Sequence, residues 1–219
     1  MSSPHSDNSS ILGSSSLDSS SLGPLGPIGW DAILDEQFTA HAAAGLMPGR
    51  VSRVDRGRCD VHTTVGVLHA TVPANVLDLP ESGVVTGDWV AIEFGATATV
   101  RAVLPRRTAL YRASADRTSR RQALVANVDT ALLTMGLDLD FNLRRLERFA
   151  ILARSAGVGA VAVLTKADLC DDVEGRLAQA RETLPPDVPA LAVDAHADAA
   201  RDALAPWLVP DRKSTRLNS

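Results

Sequence analysis

The sequence predicts a small all-β barrel followed by part of an α/β domain with a parallel sheet. Between residues 50 and 104, apolar and polar residues alternate along short segments separated by glycines. From residue 123 onward, short apolar runs instead alternate with stretches of helical periodicity. Period-two alternation indicates half-buried strands, whereas strand–helix–strand repeats indicate parallel strands joined by crossover helices.

The chain begins with a segment, 1–29, that contains eleven serines and scattered glycine and proline. So little apolar surface cannot offset the chain entropy lost on folding, and a disordered tail is predicted. The next segment, 30–47, predicts a leading helix, because four apolar residues fall on one stripe at helical spacing. These residues are Ile33, Leu34, Phe38 and Ala42.

Residues 48–104 predict the barrel. Alternation is clearest in Cys59–Thr63, Val90–Phe94 and Ala98–Leu104. Five short strands within about 55 residues fit a closed barrel, and the five-stranded OB-fold is the commonest such barrel that binds oligonucleotides. Trp89 and Phe94 lie on one of these strands, and we expect them to pack in the core rather than to stack on bases.

Charge is distributed unevenly along the chain. The net charge is −4, but residues 1–49 hold five acidic residues and no Lys or Arg, which leaves the remainder at +1. The segment 101–121 carries seven arginines against Asp116 alone. We interpret 105–121 as an Arg-rich linker that contacts RNA phosphates, the alternative being a solvated linker between domains. The candidate RNA-binding residues are Arg106, Arg107, Arg112, Arg120 and Arg121.

Residues 122–210 predict a partial parallel-sheet domain. Its predicted strands are 131–135, 161–165 and 190–195, and its predicted helices are 142–156, 171–184 and 199–208. In open sheets of this kind, ligands bind beyond the carboxyl ends of the strands. Thr165-Lys166-Ala167-Asp168 lies at such an end.

This tetrapeptide is similar to the box by which GTPases select guanine. A carboxylate at Asp168 can accept hydrogen bonds from the ring N–H and the exocyclic amine of guanine, a donor pair that adenine lacks. Lys166 can lay its aliphatic stem across a purine. After the next strand, Asp194 and Ala195 stand where GTPases place a loop whose Ala backbone N–H contacts the guanine carbonyl. The alternative is that Lys166 and Asp168 are surface residues of a strand-to-helix turn, where Asp168 lies near a helix start that favours negative charge.

A phosphate-binding loop is missing from the sequence. Such a loop needs G-x-x-x-x-G-K-[ST], in which glycines let backbone N–H groups converge on phosphate. The chain has two lysines, Lys166 and Lys213, and no glycine after Gly175. Lys213 stands in a Lys-Ser-Thr run that imitates the motif but follows neither glycine nor an apolar strand.

Several motifs occur in an order that identifies a family resemblance. They are Pro48-Gly49-Arg50-Val51, Gly87-Asp88-Trp89-Val90, Arg106-Arg107-Thr108, Gln122 with Ala126-Asn127-Val128-Asp129, Asp140-Phe141-Asn142-Leu143 leading to Glu147-Arg148, and Thr165–Leu169. Over residues 30–209 the chain resembles the circularly permuted, ribosome small subunit-dependent GTPases (the RsgA or YjeQ family). Two departures are Thr165, where Asn is usual, and Asp194, where Ser is usual.

The resemblance implies a P-loop GTPase-like, circularly permuted domain that binds GTP and GDP and hydrolyses GTP with Mg²⁺. It also implies action in late maturation of the small ribosomal subunit, binding of ribosomal RNA through the barrel, and a structural zinc domain. In that family the phosphate loop would begin shortly after Pro210. We therefore expect a C-terminally truncated chain in which 211–219 is foreign to the fold. Catalytic residues and the ligands of Mg²⁺ and zinc are then absent, and the chain alone is predicted to be inactive.

Two other functions stay open at this stage. One is an RNA-binding OB module with a vestigial, non-hydrolysing α/β domain. The other is a nucleotide-dependent oxidoreductase, which is disfavoured because no G-x-G-x-x-G follows a strand. No apolar run approaches the length of a membrane span and no signal peptide is evident, so a cytoplasmic protein is expected. The histidines show no metal spacing. Neither a membrane nor a DNA partner is expected.

Overall fold

The structure is a computed structural model that describes residues 19–77, 83–113, 121–208 and 214–217. Its strands form a closed five-stranded barrel, a two-stranded hairpin and a four-stranded parallel sheet. Helices pack against the parallel sheet. The predicted fold class, a small barrel followed by a partial parallel α/β domain, is therefore confirmed.

The barrel is closed in the strand order β1-β2-β3-β5-β4. Its elements are β1 (Met47–Asp55), β2 (Arg58–Thr63), β3 (Gly66–Thr71), the short helix α2 (Ala74–Leu77), β4 (Trp89–Glu93) and β5 (Ala98–Val103). Neighbouring strands are antiparallel except β3 and β5, which pair in parallel at Ala70 and Ala98 and close the cylinder. Val61, Ile92 and Val100 are fully buried inside it.

The two barrel aromatics have different environments. Trp89 is buried, as expected, but Phe94 is 63% exposed, so the expectation that Phe94 packs in the core is corrected. The physical reason is that β4 ends at Glu93, and the inward–outward alternation of the strand does not extend to the next residue.

A helical segment covers the barrel on the side of Trp89. It consists of a 3₁₀ segment, Ser19–Ile28, and helix α1 (Ala32–Ala43). Leu25 is 2% exposed and packs with Trp30, Leu34, Phe38 and Trp89. Disorder was predicted for all of 1–29, and this is corrected for Ser19–Ile28, because its apolar residues bury against the tryptophans. Residues 1–18 lie outside the described residues.

The apolar stripe predicted for α1 is also narrower than expected. Leu34 and Phe38 are buried, whereas Ile33 is 57% exposed and Ala42 is exposed. A helix that lies on a rounded barrel contacts it along one i, i+4 row, which leaves the flanking positions in solvent.

Two antiparallel strands occupy part of the predicted Arg-rich linker. They are β6 (Ala109–Ala113) and β7 (Arg121–Ala126). Leu110 is fully buried in the core of the α/β domain, and Ala126 is fully buried beside the barrel. The segment is therefore an ordered element between the two units, and the expectation of a linker is corrected for the described part of it.

The α/β domain has the sheet order β10-β9-β8-β11, and every neighbouring pair is parallel. Its elements are β8 (Thr130–Gly136), α3 (Leu143–Ser155), β9 (Gly159–Thr165), α4 (Val173–Thr183), β10 (Ala190–Ala192), α5 (Asp198–Leu204) and β11 (Ser214–Leu217). Leu133, Ala150 and Leu164 are fully buried between the sheet and its helices.

Strand β11 differs from the expectation that 211–219 lies outside the fold. Its residues Ser214–Leu217 pair in parallel with Thr130–Leu133 of β8. Residues 209–213 and 218–219 are not among the described residues. Among the helices of the described chain, none combines the length and apolar character needed to cross a membrane.

Candidate functional site

Three loops meet at the carboxyl edge of the parallel sheet. They follow β8, β9 and β10, whose last residues lie near one another because Gly136 is in register with Thr165 and Leu164 with Ala192. Backbone hydrogen bonds fix the loops to each other. Leu137 N donates to Thr165 O over 2.8 Å, Val193 N to Leu164 O over 2.8 Å and Ala167 N to Val193 O over 3.3 Å.

The chain turns sharply at the end of β9. Lys166 adopts left-handed backbone angles (φ 62°, ψ 37°), and a 3₁₀ turn over Ala167–Leu169 follows it. Such a conformation costs about 1 kcal/mol or more for a residue with a side chain, so the surrounding loops must hold it. The turn brings Asp168 out of the strand direction and into solvent.

Asp168 has an exposed side chain. It makes no hydrogen bond or ion pair within the described ranges of the chain, whereas Asp138 and Asp194 at this edge are both hydrogen-bonded. A carboxylate in this state keeps all its lone pairs available to an incoming donor. Asp168 can therefore accept two hydrogen bonds at once from a ligand.

Thr165 and Asp194 order the loops on either side of Asp168. The Thr165 hydroxyl donates to the Met135 carbonyl over 3.3 Å and so ties the end of β9 to β8. Asp194 accepts a hydrogen bond from His196 N over 2.9 Å, which closes the turn after β10. Ala195 lies exposed in that turn, and within the described part of the chain its N–H has no acceptor.

Lys166 forms an ion pair with Asp138, which lies in the loop after β8. The hydrogen bond from Lys166 lowers the pKa of the Asp138 carboxyl, and the same bond raises the pKa of the Lys166 ammonium. The pair spans the gap between the first two loops of the edge. Of the six residues predicted to bind guanine, Thr165 ends β9, and Lys166, Ala167, Asp168, Asp194 and Ala195 lie on the two adjoining loops after β9 and β10.

Arg106 does not serve as a surface cation. Its side chain is 13% exposed, and it forms a two-point ion pair with Asp88, with Nε–Oδ1 and Nη2–Oδ2 distances of 2.8 Å. Nη2 also donates to Gly83 O over 2.6 Å. The prediction that Arg106 contacts RNA is corrected, because its guanidinium neutralises a carboxylate that is itself fully buried.

Arg107 is more exposed but is also paired. It donates through both Nη atoms to Asp31, each over 2.6 Å. Asp31 is the N-cap of α1 and accepts from Ile33 N and Leu34 N as well. The hydrogen bonds from Arg107 are the main cause that lowers the pKa of the Asp31 carboxyl. Arg107 thus joins the hairpin side of the molecule to the start of α1.

The remaining arginines predicted to contact RNA are Arg112, Arg120 and Arg121, in the β6–β7 segment. Arg112 is in β6 and Arg121 in β7, one on each side of the turn, while Arg120 is outside the described residues. The structure adds a second basic hairpin that sequence reasoning missed. Three exposed arginines flank the β1–β2 turn, and the spacing R-x-x-R-x-R was the available signal: Arg53, Arg56 and Arg58.

Arg50 is a buried cation at the junction of the two units, and it too was missed as a key residue. It is 5% exposed, and it donates from Nη1 to Ile28 O and from Nη2 to Asn127 O, both over 2.6 Å. Its guanidinium carbon lies 4.9 Å from the ring centroid of Trp89. Burial lowers the pKa of Arg50 to about 10, which leaves it charged at neutral pH.

Asn127 is the matching residue on the α/β side of the junction. It has left-handed backbone geometry (φ 53°), which Asn tolerates better than most residues. Its Nδ2 donates to Gly87 O over 3.1 Å, and its Oδ1 accepts from Arg107 N over 2.9 Å. Gly87 approaches so closely that a Cβ there would lie 2.0 Å from Ala126 O.

Metal ligands are not apparent at this edge. Within the described residues there is no group of three or more His, Cys, Asp or Glu side chains that could hold a metal ion. Asp168 and the Ala195 N–H present an acceptor and a donor that suit the edge of a guanine base.

This arrangement belongs to the class of proteins that join a closed β barrel to a parallel-sheet α/β domain. A family model described as RsgA GTPase matches residues 103–215, and the chain belongs to the RsgA GTPase family. The structure is similar to that of YjeQ from Thermotoga maritima, with a TM-score of 0.59 and 20% identity over 80% of this chain and 60% of that one. It is also similar to YloQ, a circularly permuted GTPase, with a TM-score of 0.54 and 17% identity over the same shares.

Two similar relatives are named small ribosomal subunit biogenesis GTPase RsgA. The protein from Streptomyces avermitilis is 44% identical over 190 residues, which is 85% of this chain and 51% of that protein. The protein from Streptomyces coelicolor is 45% identical over 184 residues, which is 83% of this chain and 50% of that protein. The chain thus spans about half the length of the curated relatives that it matches. The predicted family is confirmed.

Proposed function

We propose that the chain contributes guanine recognition and RNA binding to a GTPase that acts in maturation of the small ribosomal subunit. The observation that carries the proposal is the exposed, unpaired Asp168 carboxylate at the carboxyl end of β9, within the described part of the chain. Family membership and the names of the Streptomyces relatives support the process. Action in the cytoplasm stays a prediction.

The base is selected by complementary donors and acceptors. Asp168 accepts from the ring N–H and the exocyclic amine, while Ala195 N–H donates to the guanine carbonyl. Adenine presents an amine where guanine has a carbonyl, so it would leave both protein groups unmatched. Unmatched polar groups are the strongest source of discrimination between similar ligands.

Nucleotide binding tests this first part. Titration of the purified chain with GDP, GTP and ATP is expected to show a guanine preference that Asp168→Ala weakens about tenfold or more, because hydrogen bonds to a charged group are lost. Asp168→Asn should shift the preference towards xanthosine diphosphate, in which a carbonyl replaces the exocyclic amine. Asp171→Ala, an exposed acid two residues beyond the turn, is the matched control. Equal binding of ATP by the wild-type chain would reject the proposal.

Hydrolysis is not expected of the 219-residue chain alone. Its sequence contains no G-x-x-x-x-G-K-[ST] loop, and positioning and neutralising phosphates is most of the catalysis of phosphoryl transfer. We expect GDP and GTP to bind with similar affinity, since base contacts make up most of the interaction.

RNA binding is proposed for the basic hairpins. With Arg106 committed to Asp88, the candidates are Arg107, Arg112 in β6, Arg121 in β7, and Arg120, which precedes β7 in sequence. The exposed arginines of the β1–β2 hairpin add to this set. Arginines in segments next to a small barrel are suited to phosphate contacts, and the relatives' name directs the proposal to ribosomal RNA.

Filter binding to small-subunit RNA tests the second part. Arg112→Ala with Arg121→Ala is expected to weaken binding about tenfold and to reduce the slope of log affinity against log salt by roughly 1 to 2, one unit for each lost phosphate contact. The matched control is Arg144→Ala, an exposed arginine on α3. An unchanged salt slope in the double variant would remove these arginines from the RNA site. RNA binding without any guanine preference would favour the alternative, an RNA-binding module with a vestigial α/β domain.

A further inference from the structure

We propose that Asp138 is a positioning residue for the guanine site: it holds Lys166 across the sheet edge and thereby keeps Asp168 open to the base. The inference rests on the proposed guanine function and assigns a role to a residue outside the tetrapeptide box. It is carried by the ion pair between the loops after β8 and β9 and by the unpaired state of Asp168 in the described part of the chain.

The space for the ion pair is provided by Gly136. A Cβ at this position would lie 2.6 Å from Asp138 Oδ1 and 3.5 Å from Lys166 Cδ. The first of these distances is shorter than any normal contact, so a side chain at Gly136 would displace the Asp138 carboxylate. The Lys166 stem passes the end of β8 at an ordinary van der Waals distance, so the absence of a side chain at Gly136 matters for Asp138 and not for Lys166.

Asp138 is itself held in place from two sides. Its Oδ1 accepts from Asp140 N over 3.0 Å, which closes the turn after β8. From α4, Arg176 donates to Leu137 O over 3.1 Å and to Asp138 O over 3.3 Å. The Arg176 guanidinium also lies 5.2 Å from the ring centroid of Phe141. The position of the Asp138 carboxylate is therefore fixed by contacts of its own loop and of α4, and not by the ion pair with Lys166 alone.

Lys166 needs such an acceptor because Asp168, a carboxylate that it could otherwise reach, is only two residues further along the chain. A lysine ammonium on a four-carbon stem can turn to any carboxylate of its own turn. If Lys166 paired with Asp168, it would occupy the acceptor that selects the base. The carboxylates that raise the pKa of Lys166 are Asp138 first and then Asp140, both in the loop after β8. Asp138 therefore directs the ammonium away from the base-selecting group.

The first test measures the ion pair without nucleotide. The chain has two lysines, Lys166 and Lys213, so selective lysine labelling gives two side-chain NMR signals that Lys166→Gln assigns. Asp138→Asn is expected to lower the pKa of the Lys166 ammonium and to shift its signal, while Asp171→Asn leaves it unchanged. An unaltered Lys166 titration in Asp138→Asn would overturn the proposal, whatever the chain binds.

The second test asks whether Asp138 acts through Lys166. Asp138→Asn is expected to weaken GDP binding about two- to fivefold, the range for an exposed ion pair, and to have no further effect in a Lys166→Gln background. An equal loss in both backgrounds would mean that Asp138 only supports the loop, and would overturn this inference while leaving guanine binding intact. If wild-type chain shows no guanine preference and Asp168→Ala changes nothing, the proposed function fails and the role of Asp138 fails with it.

Discussion

Arg50 is a charged side chain that the fold holds almost out of contact with water. Within the described residues no carboxylate forms an ion pair with it, and backbone carbonyls of the 3₁₀ segment and of Asn127 accept its hydrogen bonds instead. A buried cation is expensive to desolvate, but removing it leaves its acceptors unsatisfied, which is also costly. Arg50 therefore makes the arrangement of three separate segments depend on one guanidinium.

Substitution of this residue should destabilise the chain. Arg50→Met keeps an unbranched apolar stem but removes every donor, so we expect the free energy of unfolding to fall by about 2 kcal/mol. Arg53→Met on the same strand is the control, since Arg53 is exposed and should change stability by about 0.5 kcal/mol or less. Urea denaturation followed by tryptophan fluorescence measures both. Equal losses in the two variants would show that the carbonyl contacts of Arg50 contribute little.

At the scale of elements, α3 illustrates how a helix is both started and buried. Asn142 is its N-cap and accepts a hydrogen bond from Arg145 N over 3.1 Å. Leu146, Ala150 and Ala153 then bury one face against the sheet, at the i, i+4, i+7 spacing of an amphipathic helix. Because α3 connects β8 to β9, its start fixes the path of the loop that contains Asp138.

Loss of the cap should weaken this element measurably. Asn142→Ala is expected to lower the free energy of unfolding by about 1 kcal/mol, because a backbone N–H in the first turn loses its side-chain acceptor. Glu147→Ala, at an exposed position of the same helix, serves as control and should be nearly neutral. Thermal unfolding monitored by circular dichroism compares them. A larger loss in Glu147→Ala than in Asn142→Ala would contradict the assignment of the cap.

At the scale of the whole molecule, sequence patterns predicted the elements better than the contacts between them. Strand and helix order followed from periodicity, and the loop with Asp168 followed from its place after an apolar run. The pairing of Arg106 with Asp88 and of Arg107 with Asp31 could not be read from the sequence, because the partners are 18 and 76 residues apart. An arginine-rich segment has the same composition whether it faces RNA or carboxylates of its own chain.

The covering of the barrel by Ser19–Ile28 was missed for a related reason. Serine-rich composition argues for disorder, but Leu25 finds a place beside Trp30 and Trp89 that only the closed barrel creates. Local composition describes what a segment can do alone, whereas burial depends on surfaces formed by distant residues. The same distinction applies to Gly87 and Asn127, because their contact across the junction becomes visible only in the folded chain.

The close approach of Gly87 to Ala126 has a practical consequence for exchanging parts between relatives. Thr86 O accepts from Ala126 N over 2.9 Å, and Val51 O accepts from Gly87 N over 2.8 Å, so backbone bonds run without a break from β1 to the end of β7. A chimaera that transplanted 48–104 alone would cut through this seam and separate Arg50 from Asn127. A workable graft therefore ends after Val128, so that the transplanted segment contains both the barrel and the β6–β7 strands.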